Sequence, residues 1–81
     1  MSTIQDRVRE IVAKELEVDP ENVTPDARLR EDLGGDSLEV ISLAMAAEEA
    51  FDVAIPTAEL GKVRTVQDVC DLIEAHGGKA A

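Results

Sequence analysis

The segment from Asp36 to Phe51 constrains this chain more than any other, because it reads as one helix with apolar residues on two opposite sides. At about 100° per residue, Val40, Leu43, Ala44, Ala47, Ala50 and Phe51 fall on one side. Leu38, Ile41 and Met45 fall on the other, with Glu48 beside them. A helix patterned in this way is either buried all round or meets a partner. The chain has 81 residues, which leaves room for one small core, so it cannot bury both sides. The first side is assigned to the core and the second to a partner.

The remaining segments fit around that helix. Ile4, Val8, Ile11, Val12 and Leu16 recur at helical spacing, and predict a first helix capped by Ser2 or Thr3 and ending before Asp19-Pro20. From Val18 to Gly35 the chain holds Pro20, Pro25, Gly34 and Gly35 and shows no period. It reads as a long connector with one turn at Pro20-Glu21-Asn22-Val23, pinned to the core by Val23, Leu29 and Leu33. Loops of this length are usually functional. Asp36 is the N-cap of the second helix, and Glu39 completes a capping box. After Asp52 come a break at Pro56 and a short helical turn near Thr57 to Gly61. The last helix runs from Val66 to about His76, with Thr65 as cap, Asp68 at the capping-box position and Gly77-Gly78 as its stop. Its inner face is Val66, Val69, Cys70 and Ile73. With no strand pattern, the expected fold is all-α: a small four-helix bundle, three main helices plus a short one, with a long first loop. One domain is expected over 1–78, followed by a frayed tail over 79–81.

Composition excludes several functions. A single cysteine, Cys70, rules out a disulfide framework or a multi-cysteine zinc site. It is expected in the core. His76 is assigned to the end of its helix or to water, and with no ligand-spaced companion for either residue no metal is expected. The formal net charge of −10 disfavours nucleic acid and anionic membranes and favours basic protein partners. Between Glu31 and Gly61 there are eight acids (Glu31, Asp32, Asp36, Glu39, Glu48, Glu49, Asp52, Glu59) and no lysine or arginine. This window reads as a docking face of mutually repelling charges. No apolar run is long enough to span a bilayer, and Met1 to Asp6 holds no signal-peptide core. A soluble, cytosolic monomer is expected.

The chemistry centres on Ser37. Gly35-Asp36-Ser37-Leu38 spells a signature resembling that of lipases and esterases, but a serine nucleophile needs a histidine base and a group to orient it. The only histidine, His76, lies at the far end of the last helix. Ser37 is therefore read as an attachment point rather than a catalyst. Gly34-Gly35 is expected to turn the backbone tightly and keep bulk away from the hydroxyl. The helix N-terminus suits an anionic substituent such as a phosphodiester.

Over nearly its whole length the chain resembles the acyl carrier protein family. The resemblance is carried by Asp32-Leu33-Gly34-Gly35-Asp36-Ser37-Leu38, by Glu48-Glu49-Ala50-Phe51-Asp52-Val53-Ala54-Ile55-Pro56, and by Thr65-Val66-Gln67-Asp68-Val69. It implies that a phosphopantetheinyl transferase attaches 4′-phosphopantetheine from coenzyme A to Ser37, and that acyl chains ride on the arm as thioesters. It also implies that Asp36, Glu39, Glu48 and Glu49, with Leu38, Ile41 and Met45 beside them, meet basic-faced acyl-processing enzymes. The expected function is carriage of acyl intermediates in fatty acid or related lipid biosynthesis, without enzyme activity of its own.

Three positions depart from the fatty-acid pattern. Ser42 stands where an acid is usual, Gly35 replaces the commoner alanine, and Ala47 stands where leucine is common. These keep open a polyketide or nonribosomal peptide carrier. From another class, a noncovalent helical interaction module would use the Leu38/Ile41/Met45 stripe alone. The small residues Ala44, Ala47 and Ala50 are expected to leave room for an acyl chain unless neighbours close the gap.

Overall fold

The computed structural model describes residues 3–78. Four α-helices follow in order: α1 (Ile4–Leu16), α2 (Ser37–Phe51), α3 (Thr57–Leu60) and α4 (Val66–Ala75), with a 3₁₀ turn at Pro20–Asn22. This is the expected bundle of three main helices and a short one. Each main helix starts where its local sequence says it should, because each opens with a reciprocal capping box. At α1, Thr3 Oγ1 accepts from the Asp6 N–H at 3.1 Å, so Thr3 is the cap. At α2, Asp36 Oδ1 accepts from the Glu39 N–H at 2.8 Å, and Glu39 Oε1 accepts from the Asp36 N–H at 3.3 Å. At α4, Thr65 Oγ1 accepts from the Asp68 N–H at 3.2 Å. Removing such a cap typically costs about 0.5–2 kcal/mol.

The core lies between α1, α2 and α4. Val8, Val12 and Leu16 from α1 meet Leu43, Ala47 and Phe51 from α2, and Val69, Cys70 and Ile73 close it from α4. Val40 and Ala50, expected to face the same core, are only partly buried at its edge. The Arg7 guanidinium lies 5.3 Å from the Phe51 ring centroid and roofs the one aromatic of the chain. α3 rests on α2 and contributes no fully buried residue. Its second tie is the Glu59 carboxylate, which meets His76 Nε2 at 2.5 Å. His76 caps α4, which ends at Ala75, in line with the expected end at about His76. Its ring is engaged by the Glu59 carboxylate.

The connector is more ordered than its lack of period predicted. Val23, Leu29 and Leu33 are buried as expected, but backbone bonds also stitch it to the segment before α4. Leu29 N–H donates to the Arg64 carbonyl at 2.9 Å, Val66 N–H to Ala27 at 3.1 Å, and Gln67 N–H to Pro25 at 2.8 Å. Arg28 and Thr65 form an isolated antiparallel bridge. Pairing this brief leaves no alternation to read in the sequence.

The glycine pair is also explained differently. Gly34 has φ +74°, a left-handed turn. Gly35 is buried, and a Cβ there would come within 3.0 Å of Leu16 Cδ2 and 3.1 Å of the Leu29 carbonyl oxygen. It lets the connector close onto the end of α1, rather than clearing space for the Ser37 hydroxyl. At the far end, Gly77 has φ +87° and Gly78 N–H donates to the Ile73 carbonyl at 2.8 Å, which ends α4 as expected. The proposed tail over 79–81 lies outside the described residues.

Candidate functional site

Ser37 is the first residue of α2 and is exposed. The chain is fixed on both sides of it. Gly35 N–H donates to the Leu29 carbonyl at 2.8 Å, and the Asp36–Glu39 capping box sets the first helical turn. Ser37 opens onto a cleft of about 250 Å³, walled by Val40 and Ile41 of α2, Thr57 and Leu60 of α3, and Arg30 from the connector. No histidine lines this cleft, so nothing there can activate the hydroxyl as a nucleophile.

The inner wall of the cleft continues into an apolar seam. Val40, Leu60 and Val63 border both, and Leu43, Ala44, Ile55, Val69 and Leu72 complete the seam. Its free volume is about 10 Å³, roughly the space of one water-sized probe. Of the three small residues expected to leave room, only Ala44 borders the seam. Ala47 is 1% exposed within the main core, and Ala50 is partly buried against it. The neighbours have closed the gap, as close-packed interiors tend to do.

The outer face of α2 is as expected. Leu38 is 75% exposed, Ile41 44% and Met45 63%. Asp36, Ser42 and Glu49 are exposed along the same helix, while Glu39 and Glu48 are half-buried. The acids around this face are more engaged by the fold than their clustering in the sequence indicates. Six of the eight acids between Glu31 and Gly61 have internal partners. Arg28 binds Glu31 at 2.5 Å and Asp32 at 3.3 Å. Asp36 and Glu39 form the cap, and Glu59 binds His76. Glu48 Oε2 accepts from the Ile55 N–H at 3.0 Å and anchors the loop after α2. Glu49 and Asp52 are exposed and are the two without a side-chain partner among the described residues.

Two carboxyls are held below the usual range. At Asp32 the largest cause is the Arg28 backbone N–H, followed by the Arg28 side chain. At Asp68 it is the backbone N–H groups of Arg64 and Thr65. Burial, aided by the charges of Asp71 and Glu74, pushes the Cys70 thiol up to about 11. It therefore stays a protonated core residue.

Sequence reasoning missed Arg30. It lies in a segment without periodicity, and nothing local to it signals that the fold brings it to the mouth of the Ser37 cleft.

The fit to a substituent can be judged on these features. An exposed hydroxyl on a rigid turn, a cleft with one cationic wall and an apolar seam behind it suit a group with an anionic root and a long apolar end. Comparison with known proteins agrees. The sequence profile of the family described as the phosphopantetheine attachment site matches residues 6–73. A solved structure from Mycobacterium tuberculosis, assigned as an acyl carrier protein, has 28% sequence identity and a TM-score of 0.83. The match covers 89% of this chain and 96% of that one.

Proposed function

This chain belongs to the phosphopantetheine attachment-site family and is a carrier rather than an enzyme; on that premise we propose that Ser37 is the attachment residue, serving a cytoplasmic fatty-acid or related lipid pathway. The observation that carries the assignment is the exposed Ser37 at the start of α2, opening onto a cleft that leads to an apolar seam. When bound, the arm supplies a thiol on which acyl groups are carried as thioesters.

The protein's own residues do the rest. The Asp36–Glu39 cap holds Ser37 at a fixed place for a modifying enzyme. Leu38, Ile41 and Met45 offer that enzyme, and later the acyl-processing enzymes, an apolar contact that is exposed before docking. The acids around the stripe speed encounter with basic partners, since charges at an interface rim act chiefly on association rates. Cys70, buried and protonated, offers no competing thiolate. An acyl chain finds shelter in the seam when α3, which has no fully buried residue of its own, yields from α2. The carrier domain is read as residues 1–78, acting as a monomer; the family match over 6–73 supports that extent.

A carrier of a polyketide or nonribosomal peptide pathway is the second reading. It is favoured by the exposed Ser42 in the docking stripe, where an acid would otherwise add charge.

Intact mass after incubation with coenzyme A and a phosphopantetheinyl transferase tests the site. A gain of one phosphopantetheine is expected in the wild type and none in Ser37→Ala. Modification persisting in the variant would move the site, and no gain in the wild type would favour a noncovalent module. Loading the modified protein with fatty acyl, polyketide-type and aminoacyl groups by their respective enzymes then separates the pathways.

A further inference from the structure

We propose that Arg30 is a positioning residue that pairs with the phosphodiester at Ser37 and turns the attached arm into the cleft, an inference that rests on Ser37 being the attachment residue. A phosphodiester there adds a negative charge beside Asp36 and Glu39, in a stretch with no lysine or arginine from Glu31 to Gly61. The cation that shares the cleft with Ser37 is Arg30. Its neighbour Arg28 is occupied by Glu31 and Asp32. Among the described residues Arg30 itself makes no ion pair within 4.0 Å.

The backbone around Arg30 is held on both sides. Leu29 N–H bonds to the Arg64 carbonyl, and Gly35 N–H bonds back to the Leu29 carbonyl. Arg30 is therefore presented to the cleft by a fixed strap rather than a free loop. A guanidinium fork matches two unesterified phosphate oxygens in a way an ammonium does not. The arrangement is also directional. Arg30 shares the cleft with Thr57 and Leu60, and that cleft leads into the apolar seam through Val40, Leu60 and Val63, so pairing at the root of the arm biases it toward the seam. Arg30 also borders a wider groove of about 590 Å³ with Arg28 and Arg64, so Arg64 is the natural control.

The test uses the full chain in unmodified and phosphopantetheinylated forms, as wild type, Arg30→Gln, Arg30→Lys and Arg64→Gln. Equal mass gain in all four shows Ser37 modified whatever Arg30 does; absence of gain in the wild type would sink the attachment reading instead. Phosphorus and amide NMR then read the pairing. On modification of the wild type, amide signals of residues 57–63 should shift, and the Arg30 side-chain N–H signal should sharpen. Arg30→Gln should move the phosphorus resonance and lose most of the 57–63 shifts. Arg30→Lys should retain part of them, and Arg64→Gln should retain nearly all. The unmodified variants should melt with the wild type, because Arg30 is exposed. Identical spectra for modified wild type and Arg30→Gln would overturn the proposal. So would a loss in Arg64→Gln as large as in Arg30→Gln, or an Arg30→Lys variant no better than Arg30→Gln.

Discussion

Leu43 and Leu38 are the same residue type on the same helix, yet Leu43 is 1% exposed and Leu38 75%. The inner face of α2 packs against α1 and α4, whereas Leu38, Ile41 and Met45 on its outer face stay exposed among the described residues. Burial on the inner face stabilises the domain continuously. Exposure on the outer face contributes nothing to the free carrier and is used only when an enzyme docks. One helix thus divides stability from recognition along its length, and substitutions on the two sides should separate the two properties.

The widest separation is expected at Leu43. Leu43→Ala should cost about 2–5 kcal/mol. That is a large share of the roughly 4–12 kcal/mol expected for a chain of this size at about 0.05–0.15 kcal/mol per residue. Urea unfolding measures it, and a loss under about 1 kcal/mol would mean the inner face is looser than its burial implies.

At the boundary between the faces, Asp36→Ala removes the acceptor for the Glu39 N–H. The cost should be about 0.5–2 kcal/mol, with slower modification of Ser37 because the first turn of α2 loosens. Thermal melting with a time course of mass gain would show both. A change in one alone would uncouple the cap from the site.

Glu48 and Glu49 sharpen the comparison further. Glu48 binds the Ile55 N–H, so Glu48→Gln should cost about 0.5–1 kcal/mol. Glu49, exposed and without a side-chain partner among the described residues, should tolerate the same change within about 0.5 kcal/mol. Glu49→Lys should instead slow association with a basic-faced transferase, and the difference should shrink as salt screens it over about 8–10 Å. Stopped-flow association at two salt concentrations checks this; equal destabilisation by the two glutamine variants would erase the distinction.

An acid titration reads the same contrast more weakly. The Asp68 carboxyl is held below its ordinary value of 3.8 by the Arg64 and Thr65 N–H groups. Its stabilising contribution is therefore complete above that value, and is lost as pH falls below it through the lower folded value. Asp68→Asn should flatten this limb of the stability curve, while Glu49→Gln should leave it alone. Parallel acid limbs for wild type and Asp68→Asn would show that the cap carboxylate contributes little.

The smallest effect on stability belongs to the stripe. Leu38→Ser and Met45→Ser should change unfolding free energy by less than about 0.5 kcal/mol, while lowering kcat/KM for modification by the transferase. Clear destabilisation by either would show that the outer face is covered by something in this chain after all.

Much of this architecture was readable from residue order. Asp36 and Thr65 announce their helices because a capping box links a residue to one three places on, whereas the choice of Thr3 over Ser2 at the first helix came from the structure. Leu38, Ile41 and Met45 separate from Leu43 and Phe51 by periodicity alone. The connector was less legible. Its three buried residues could be picked out, but its backbone pairing with the segment before α4 joins residues such as Leu29 and Arg64, which no local pattern relates. The acids taught a similar lesson. Their clustering is plain in the sequence, whereas the engagement of Glu48 by Ile55 and of Glu59 by His76 is not. A charge that appears free in the sequence can be a structural bond in the fold.

By itself, then, the sequence determined where α2 and α4 begin, which side of α2 faces inward and that Ser37 stands at the head of that helix. All of these follow from interactions within a few residues of one another. Only the tertiary structure decided that Ala47 is core rather than cargo space, that Glu49 and Asp52 alone of the clustered acids lack a partner among the described residues, and that Arg30 shares a cleft with Ser37. Those outcomes depend on how separate helices and the connector come to rest against each other, through close packing and long-range backbone bonds.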